Sequence, residues 1–106
     1  MVIAIFRSTL RDEHDAEFQD LAQEMMELAT GMPGFRSYKV FVADDGERCS
    51  LIEFESQEAM LAWRNQPAHR AAQERGRNDF YESYELQVVE PLRESRFRRD
   101  ADPSNA

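Results

Sequence analysis

Four segments of this chain carry apolar side chains at both odd and even positions, and this constrains the fold more than any other feature. They are VIAIFRS at 2–8, GFRSYKVFVA at 34–43, RCSLIEFE at 48–55 and YESYELQVVE at 81–90. All are rich in β-branched and aromatic residues and read as strands. In the first, Val2, Ala4 and Phe6 point one way and Ile3 and Ile5 the other. In the second, Tyr38, Val40 and Val42 oppose Phe35 and Phe41; in the third, Ser50, Ile52 and Phe54 oppose Cys49 and Leu51. A sheet with one face in water alternates apolar with polar residues. These strands do not, so both faces need a cover.

Helical segments supply one cover. From Asp12 to Thr30 the apolar residues Phe18, Leu21, Ala22, Met25, Leu28 and Ala29 recur at three and four, with Glu17, Asp20, Glu24 and Glu27 off that stripe. Asp12 is placed to cap this helix, Glu13 and Asp15 suit its first turn, and Gly31 with Pro33 ends it. Asp45-Gly46 between the second and third strands is a hairpin signal of the type whose two central residues take positive φ. Ser56 caps a short helix carrying Met60 and Trp63, and Pro67 opens another. Ala68, Ala71 and Ala72 give that last helix a small inward face that would let it lie close to the sheet, and Gly76 closes it. Pro91 ends the final strand. The order strand, helix, strand, strand, helix pair, strand is the split βαβ arrangement: an α+β, ferredoxin-like antiparallel sheet with helices on one face.

The other face is left with an apolar patch larger than a monomer ordinarily exposes. A symmetric homodimer with its two sheets packed face to face covers it.

A chain of 106 residues with 42% hydrophobic and 32% charged residues fits one core, with residues 1–92 as the domain and 93–106 as a tail. Its formal charge of −8 argues against nucleic acid and anionic membranes as partners, since both need a basic face. Arg93, Arg96, Arg98 and Arg99 crowd the tail beside Glu94, Asp100 and Asp102, which suits a tail reaching the acidic body of its own or a partner protomer. The single cysteine, Cys49, excludes an intrachain disulfide and a cysteine-based zinc site. The apolar run Met1 to Phe6 is too short for a signal peptide or a span, which predicts a cytoplasmic protein.

Several pieces then come together: Pro33-Gly34-Phe35, the strand end Phe54-Glu55-Ser56, Trp63 followed by Pro67 and His69, Gly76, and the aromatic start of the last strand. Over about residues 2–92 the chain resembles the antibiotic biosynthesis monooxygenase (ABM) domain family. The resemblance implies a dimeric α/β barrel with a substrate pocket in each protomer between helices and sheet. It also implies oxygenation of a small aromatic or quinol substrate without flavin, nicotinamide or metal. A deprotonated, electron-rich ring can pass an electron to O2 itself, so the protein supplies a base, a hydrogen bond to the oxyanion and a dry aromatic box. The sequence has neither a Gly-rich phosphate loop nor a close His/Asp/Glu cluster of metal-site spacing.

On that reading His69 is the catalytic candidate, aiding deprotonation or binding the oxyanion. Trp63, Tyr81, Phe54, Tyr38 and Phe6 shape the substrate site. Each also has a structural reading: His69 as a helix-surface or interface histidine, Trp63 as a core anchor, and Tyr38, Phe6 and Phe54 as core aromatics. Tyr81 and Tyr84 are three apart on a strand, which puts them on opposite faces, so at most one serves a given pocket. Arg7 and Arg36 lie in strands and would need a carboxylate such as Glu53 if buried. His14 reads as exposed, and Arg70, Arg75 and Arg77 with Glu74 as a solvated face. Haem-degrading relatives use an asparagine on the first strand, which VIAIFRS lacks, and Trp63 and His69 are closer together than in those relatives. Haem chemistry is therefore disfavoured. The competing function is a non-catalytic dimeric module that binds a small hydrophobic molecule, and the lining of the pocket separates the two.

Overall fold

The structure, a computed structural model, describes residues 1–12 and 15–99. Glu13 and His14 near the first helix, and Asp100 and Asp102 of the tail, lie outside the described residues. The elements are β1 (Val2–Leu10), α1 (Asp15–Thr30), β2 (Phe35–Val42), β3 (Arg48–Phe54), α2 (Gln57–Arg64), α3 (Pro67–Arg75), a single π-helical turn (Gly76–Phe80) and β4 (Tyr81–Val89). The strands form one antiparallel sheet in the order β2-β3-β1-β4. This is the ferredoxin-like α+β fold expected from the order of elements. No described helix is long and apolar enough to cross a membrane.

Register decides what each face carries. Val2 pairs with Phe54, Ala4 with Ile52, Phe6 with Ser50 and Ser8 with Arg48. Directly paired residues share a face. Val2, Ala4, Ile52 and Phe54 are buried with Ala29, Met60 and Trp63 in one cluster, so this is the helix-covered face. A smaller contact joins Phe18 of α1 to Phe80 of the π turn, edge to face at 5.7 Å. The opposite face carries Ile3 against Glu53, Ile5 against Leu51 and Arg7 against Cys49 on the two central strands.

Two register shifts alter the expected phases. In β2 the pairing steps from Phe35↔Phe54 to Ser37↔Glu53, leaving Arg36 as the extra residue. A bulge of this kind turns the strand by one position. Phe35 therefore does not oppose Tyr38: both pack on the buried cluster, and Phe35 meets Phe54 edge to face at 5.8 Å. In β4 the step between Ser83↔Thr9 and Tyr81↔Leu10 leaves Glu82 unpaired, with the same effect on Tyr81 and Tyr84.

Turns and caps follow local chemistry with some corrections. Ser56 accepts a 3.1 Å hydrogen bond from Ala59 N, the expected cap of α2. The first helix begins at Asp15, three residues past the expected cap Asp12. Between β2 and β3, Gly46 N donates to Ala43 O at 2.9 Å, so Asp44 and Asp45 are the central turn residues and Gly46, at φ 91°, follows them. That is the longer hairpin loop, a turn plus a left-handed glycine, and not a two-residue turn centred on Asp45-Gly46. Arg7 is half-exposed and pairs with Glu47 at 2.9 Å and Glu85 at 3.8 Å, so neither burial nor Glu53 enters its account.

The helix pair departs most from expectation. α2 buries Met60 and Trp63, whereas α3 buries nothing. Ala68 and Ala71 are exposed, and the stripe turned toward the sheet is His69, Ala72, Gln73 and Gly76. The small side chains do not bring α3 down onto the strands. They leave space beneath it. α3 ends at Arg75 with Gly76 next, as expected, but Gly76 keeps helical angles (φ −58°, ψ −48°) and leads into the π turn. Its missing side chain is filled by the Tyr81 ring, whose Cδ2 would lie 2.9 Å from a Cβ placed there.

Candidate functional site

The space beneath α3 is a cavity of about 340 Å³ between the helical layer and the inner face of the sheet. From the sheet come Phe6 and Ser8 of β1, Tyr38 of β2, Arg48 and Ser50 of β3, and Tyr81 and Tyr84 of β4. From the helices come Phe18, Met25 and Met26 of α1, Trp63 and Arg64 of α2, and His69, Ala72 and Gln73 of α3. Most of the apolar stripe of α1, Phe18 included, thus serves as wall, with Phe18 and Ala29 its buried members.

Of the site residues expected from sequence, His69, Trp63, Tyr81, Tyr38 and Phe6 line this cavity. Phe54 does not. It is 0% exposed and lies behind Trp63, the two rings stacked with centroids 5.6 Å apart, so it supports the wall without forming it. Tyr81 and Tyr84 both face the cavity, contrary to strict alternation, because the bulge at Glu82 restores them to one side. Their rings sit 5.6 Å apart, and Phe6 touches both at 5.5 and 5.4 Å.

Trp63 and His69 meet because the helix breaks between them. Gln66 is extended (φ −61°, ψ 137°), as the residue before a proline prefers, and Pro67 starts α3 without needing an amide partner. The imidazole then lies edge-on to the indole with centroids 4.4 Å apart. Trp63 Nε1 and His69 Nδ1 are both buried, and among the described residues neither has a hydrogen-bond partner at good distance and angle. Burial, aided by the positive charge of Arg64 and opposed by the Arg64 backbone, pushes the His69 imidazolium down to about 4. His69 is therefore neutral at physiological pH.

The sheet side of the cavity is hydroxyl-rich. Ser8 is 4% exposed, the one buried polar residue among the described ones. It sits in a row across the sheet, paired with Arg48 on one side and Tyr84 on the other. Burial pushes the Tyr81 phenol up to about 12, with Tyr38 adding to the shift and Arg48 opposing it. Burial raises Tyr38 as well, against the neighbouring Ser50 hydroxyl and the Arg48 charge. Both tyrosines are thus neutral hydrogen-bond donors.

Sequence reasoning missed Arg48, Ser8 and Ser50, and treated Arg77, which lines the cavity from the π turn, as part of a solvated face. The signal was present: Ser8 is in phase with Val2, Ala4 and Phe6, and Arg48 with Ile52 and Phe54. Polar residues at inward positions of adjacent strands mark a lined cavity once the register is known. Among the described residues no three His, Cys, Asp or Glu side chains gather as a metal-ligand set.

The antibiotic biosynthesis monooxygenase family model matches residues 1–75. The uncharacterized protein YqjZ of Bacillus subtilis (strain 168) is 30% identical over 99 residues, 93% of this chain and 87% of that protein. Among solved structures, Rv0793 from Mycobacterium tuberculosis superposes with a TM-score of 0.79 at 22% identity, over 90% of this chain and 98% of that one. SnoaB, a cofactor-independent oxygenase from Streptomyces nogalater, gives 0.74 at 16% identity over 88% and 94%. At those identities the two structures speak to the fold alone. With the family model spanning most of the chain and the Bacillus relative nearly all of it, the chain belongs to the antibiotic biosynthesis monooxygenase family.

Proposed function

We propose that this protein is a cofactor-independent monooxygenase acting on a small aromatic or quinol-type substrate in the cavity between α3 and the sheet. The observation that carries the reading is the lining: Phe6, Phe18, Tyr38, Trp63, Tyr81 and Tyr84 surround a volume of about 340 Å³ suited to a planar ring system. Neutral donors, Tyr38 and Tyr81 from the sheet and His69 from α3, line that box. A substrate anion held there transfers an electron to O2. The resulting radical pair couples to form a carbon–oxygen bond, and the peroxide loses water to leave a carbonyl. One oxygen atom enters the product and the other leaves as water, with both reducing equivalents drawn from the substrate.

In this scheme His69 is a hydrogen-bonding group for the oxygen-bearing intermediate more than a proton store, because its charged form is costly in that position. Trp63, Tyr38, Tyr81 and Phe6 orient the ring, with Phe54 supporting Trp63 from behind. The protein acts as a cytoplasmic homodimer. Ile3, Ile5, Cys49 and Leu51 on the outer face, flanked by half-exposed Phe41, would be covered by the same face of a second copy. Residues 93–106 form a tail beyond the 1–92 domain, and exposed Phe97 in it suits a contact with the partner protomer.

Oxygen uptake with a panel of anthrones and hydroquinones, run with chelator present, tests the reading. Turnover by the native chain that falls at least about tenfold in His69→Ala is the expected result, as for loss of one oxyanion donor. Retention of the same compounds without oxygen uptake would instead favour the second reading, a non-catalytic binding module. The shielded Nδ1 of His69 is the observation on that side.

A further inference from the structure

The cavity has a charge opposite to that of the chain. Of 106 residues, 21 are Asp or Glu against 13 Lys or Arg, for a formal charge of −8. Among the described residues no Asp or Glu lines the cavity, whereas Arg48, Arg64 and Arg77 do. Of the three, Arg48 is the one carried by the sheet. It is partly buried on the helix-covered face, in the row Arg48–Ser8–Tyr84, with its guanidinium 5.2 Å from the Phe18 ring centroid. Among the described residues no carboxylate pairs with it. The other titratable groups around the cavity are Tyr38 from β2, Tyr81 and Tyr84 from β4 and His69 from α3; burial raises Tyr38 and Tyr81 and lowers His69, which holds these three neutral near pH 7.

A partly desolvated guanidinium without a counter-ion is costly, whereas the half-exposed Arg7 pairs with Glu47 and Glu85 and the half-exposed Arg75 with Glu17 and Asp79. Arg48 sits instead among hydroxyl donors, which can add hydrogen bonds to an anion already paired with it. We infer that the ligand of this cavity is an aromatic ring bearing an ionised oxygen substituent, a carboxylate or a phenolate, and that Arg48 is the residue that selects it. Tyr81, Tyr38 and Ser8 lie within the same cluster to share that anion, while the ring extends toward Trp63 and His69. This rests on the cavity assigned above and specifies its substrate class. For a phenol it also explains how deprotonation proceeds beside so weak a base as His69: Arg48 stabilises the phenolate and so lowers the pKa of the bound phenol, and the proton leaves to solvent on binding.

Three probes test this without any turnover, so its outcome is separate from that of the oxygen-uptake experiment. 2-Naphthoate and its neutral isostere 2-naphthamide report selection for a carboxylate by titration of tryptophan fluorescence. 4-Nitrophenol reports selection for a phenolate, because its visible absorbance gives its ionisation state directly in the bound form. Expected are at least about tenfold tighter binding of naphthoate than of naphthamide, and a bound nitrophenol pKa about one unit below its value in free solution. Selection confined to one of the two probes assigns the substituent to that source. Arg48→Gln should abolish the preference while leaving naphthamide affinity within about twofold, and Arg48→Lys should restore part of it. Equal affinity for acid and amide together with an unshifted nitrophenol pKa would overturn the inference. So would preference that survives in Arg48→Gln, or failure of all three probes to bind at millimolar concentration.

Discussion

α2 and α3 are neighbours in sequence, nearly equal in length, and opposite in what they do. α2, eight residues long, drives Met60 and Trp63 into the core at 1% and 4% exposure. α3, with nine, buries no side chain and turns His69, Ala72 and Gln73 toward an open volume. The break at Gln66-Pro67 lets one helix seal the sheet while the next is held off it. A fold that packed both would be more stable and would have no site. Stability and chemistry are thus divided between adjacent helices, with the Trp63–His69 contact as the boundary.

The largest effect that could break this division is at Trp63. Its ring stacks on Phe54 and meets Tyr38 and His69 edge-on, so Trp63→Ala leaves a large void in the core. It should cost about 3–5 kcal/mol in urea unfolding, a large share of an ordinary domain's stability. His69→Ala, six positions on, should cost under about 1 kcal/mol at pH 7, since it removes a partly buried group with an unpaired nitrogen. Comparable losses would mean that α3 is part of the core after all.

Acid sharpens the boundary from the other side. His69 falls from 6.5 to about 4 on folding. Between those values the unfolded chain binds a proton that the folded chain refuses, so unfolding is favoured as the pH drops. The contribution is complete above pH 6.5 and fades down to about 4. After allowance for partial solvent access it amounts to roughly 2 kcal/mol. Unfolding midpoints in urea at pH 7 and pH 4.5 should show the loss, and His69→Gln should remove that part of it while carboxylate titrations remain in both proteins. An unchanged pH dependence in the variant would place His69 in water.

A matched pair of alanines separates wall from core. Ala29 is 0% exposed in the packed cluster, while Ala72 borders the cavity. Ala29→Leu should overpack and destabilise by about 1–3 kcal/mol. Ala72→Leu has empty volume before it and should shift stability by less than about 1 kcal/mol, yet it should abolish retention of aromatic probes. Equilibrium unfolding together with fluorescence titration reads both.

How much of this was legible in the sequence follows from how each signal is written there. The four strands, the helix over α1, the cap at Ser56 and the break at Pro67 are local signals, and each matched the structure within a few residues. The faces of Phe35 and Tyr81 were not legible, because a bulge is set by pairing with another strand and is invisible to alternation within one. The cavity was not legible for a related reason. Leu21, Ala22 and Met25 have the spacing of core residues, and nothing local distinguishes a helix that touches the sheet from one held away from it. Arg48 shows the limit most plainly. Its inward phase could be counted along β3, but that no described carboxylate pairs with it depends on which strands and helices surround it.

The smallest effect concerns how the two helices start. α2 opens with Ser56, whose side chain accepts from Ala59 N, whereas α3 opens at Gln66 with no side-chain cap and relies on Pro67 at its first position. Ser56→Ala should therefore cost about 1 kcal/mol, and Gln66→Ala no more than a few tenths. If α2 is the sealing helix, the Ser56 loss should appear in global unfolding, because fraying its first turn exposes the residues leading to Met60. Hydrogen exchange at the α3 amides should stay unchanged in Ser56→Ala if the break at Pro67 uncouples the two. Faster exchange across α3 in that variant would show that α2 and α3 open together, and that the site wall depends on the cap of the helix before it.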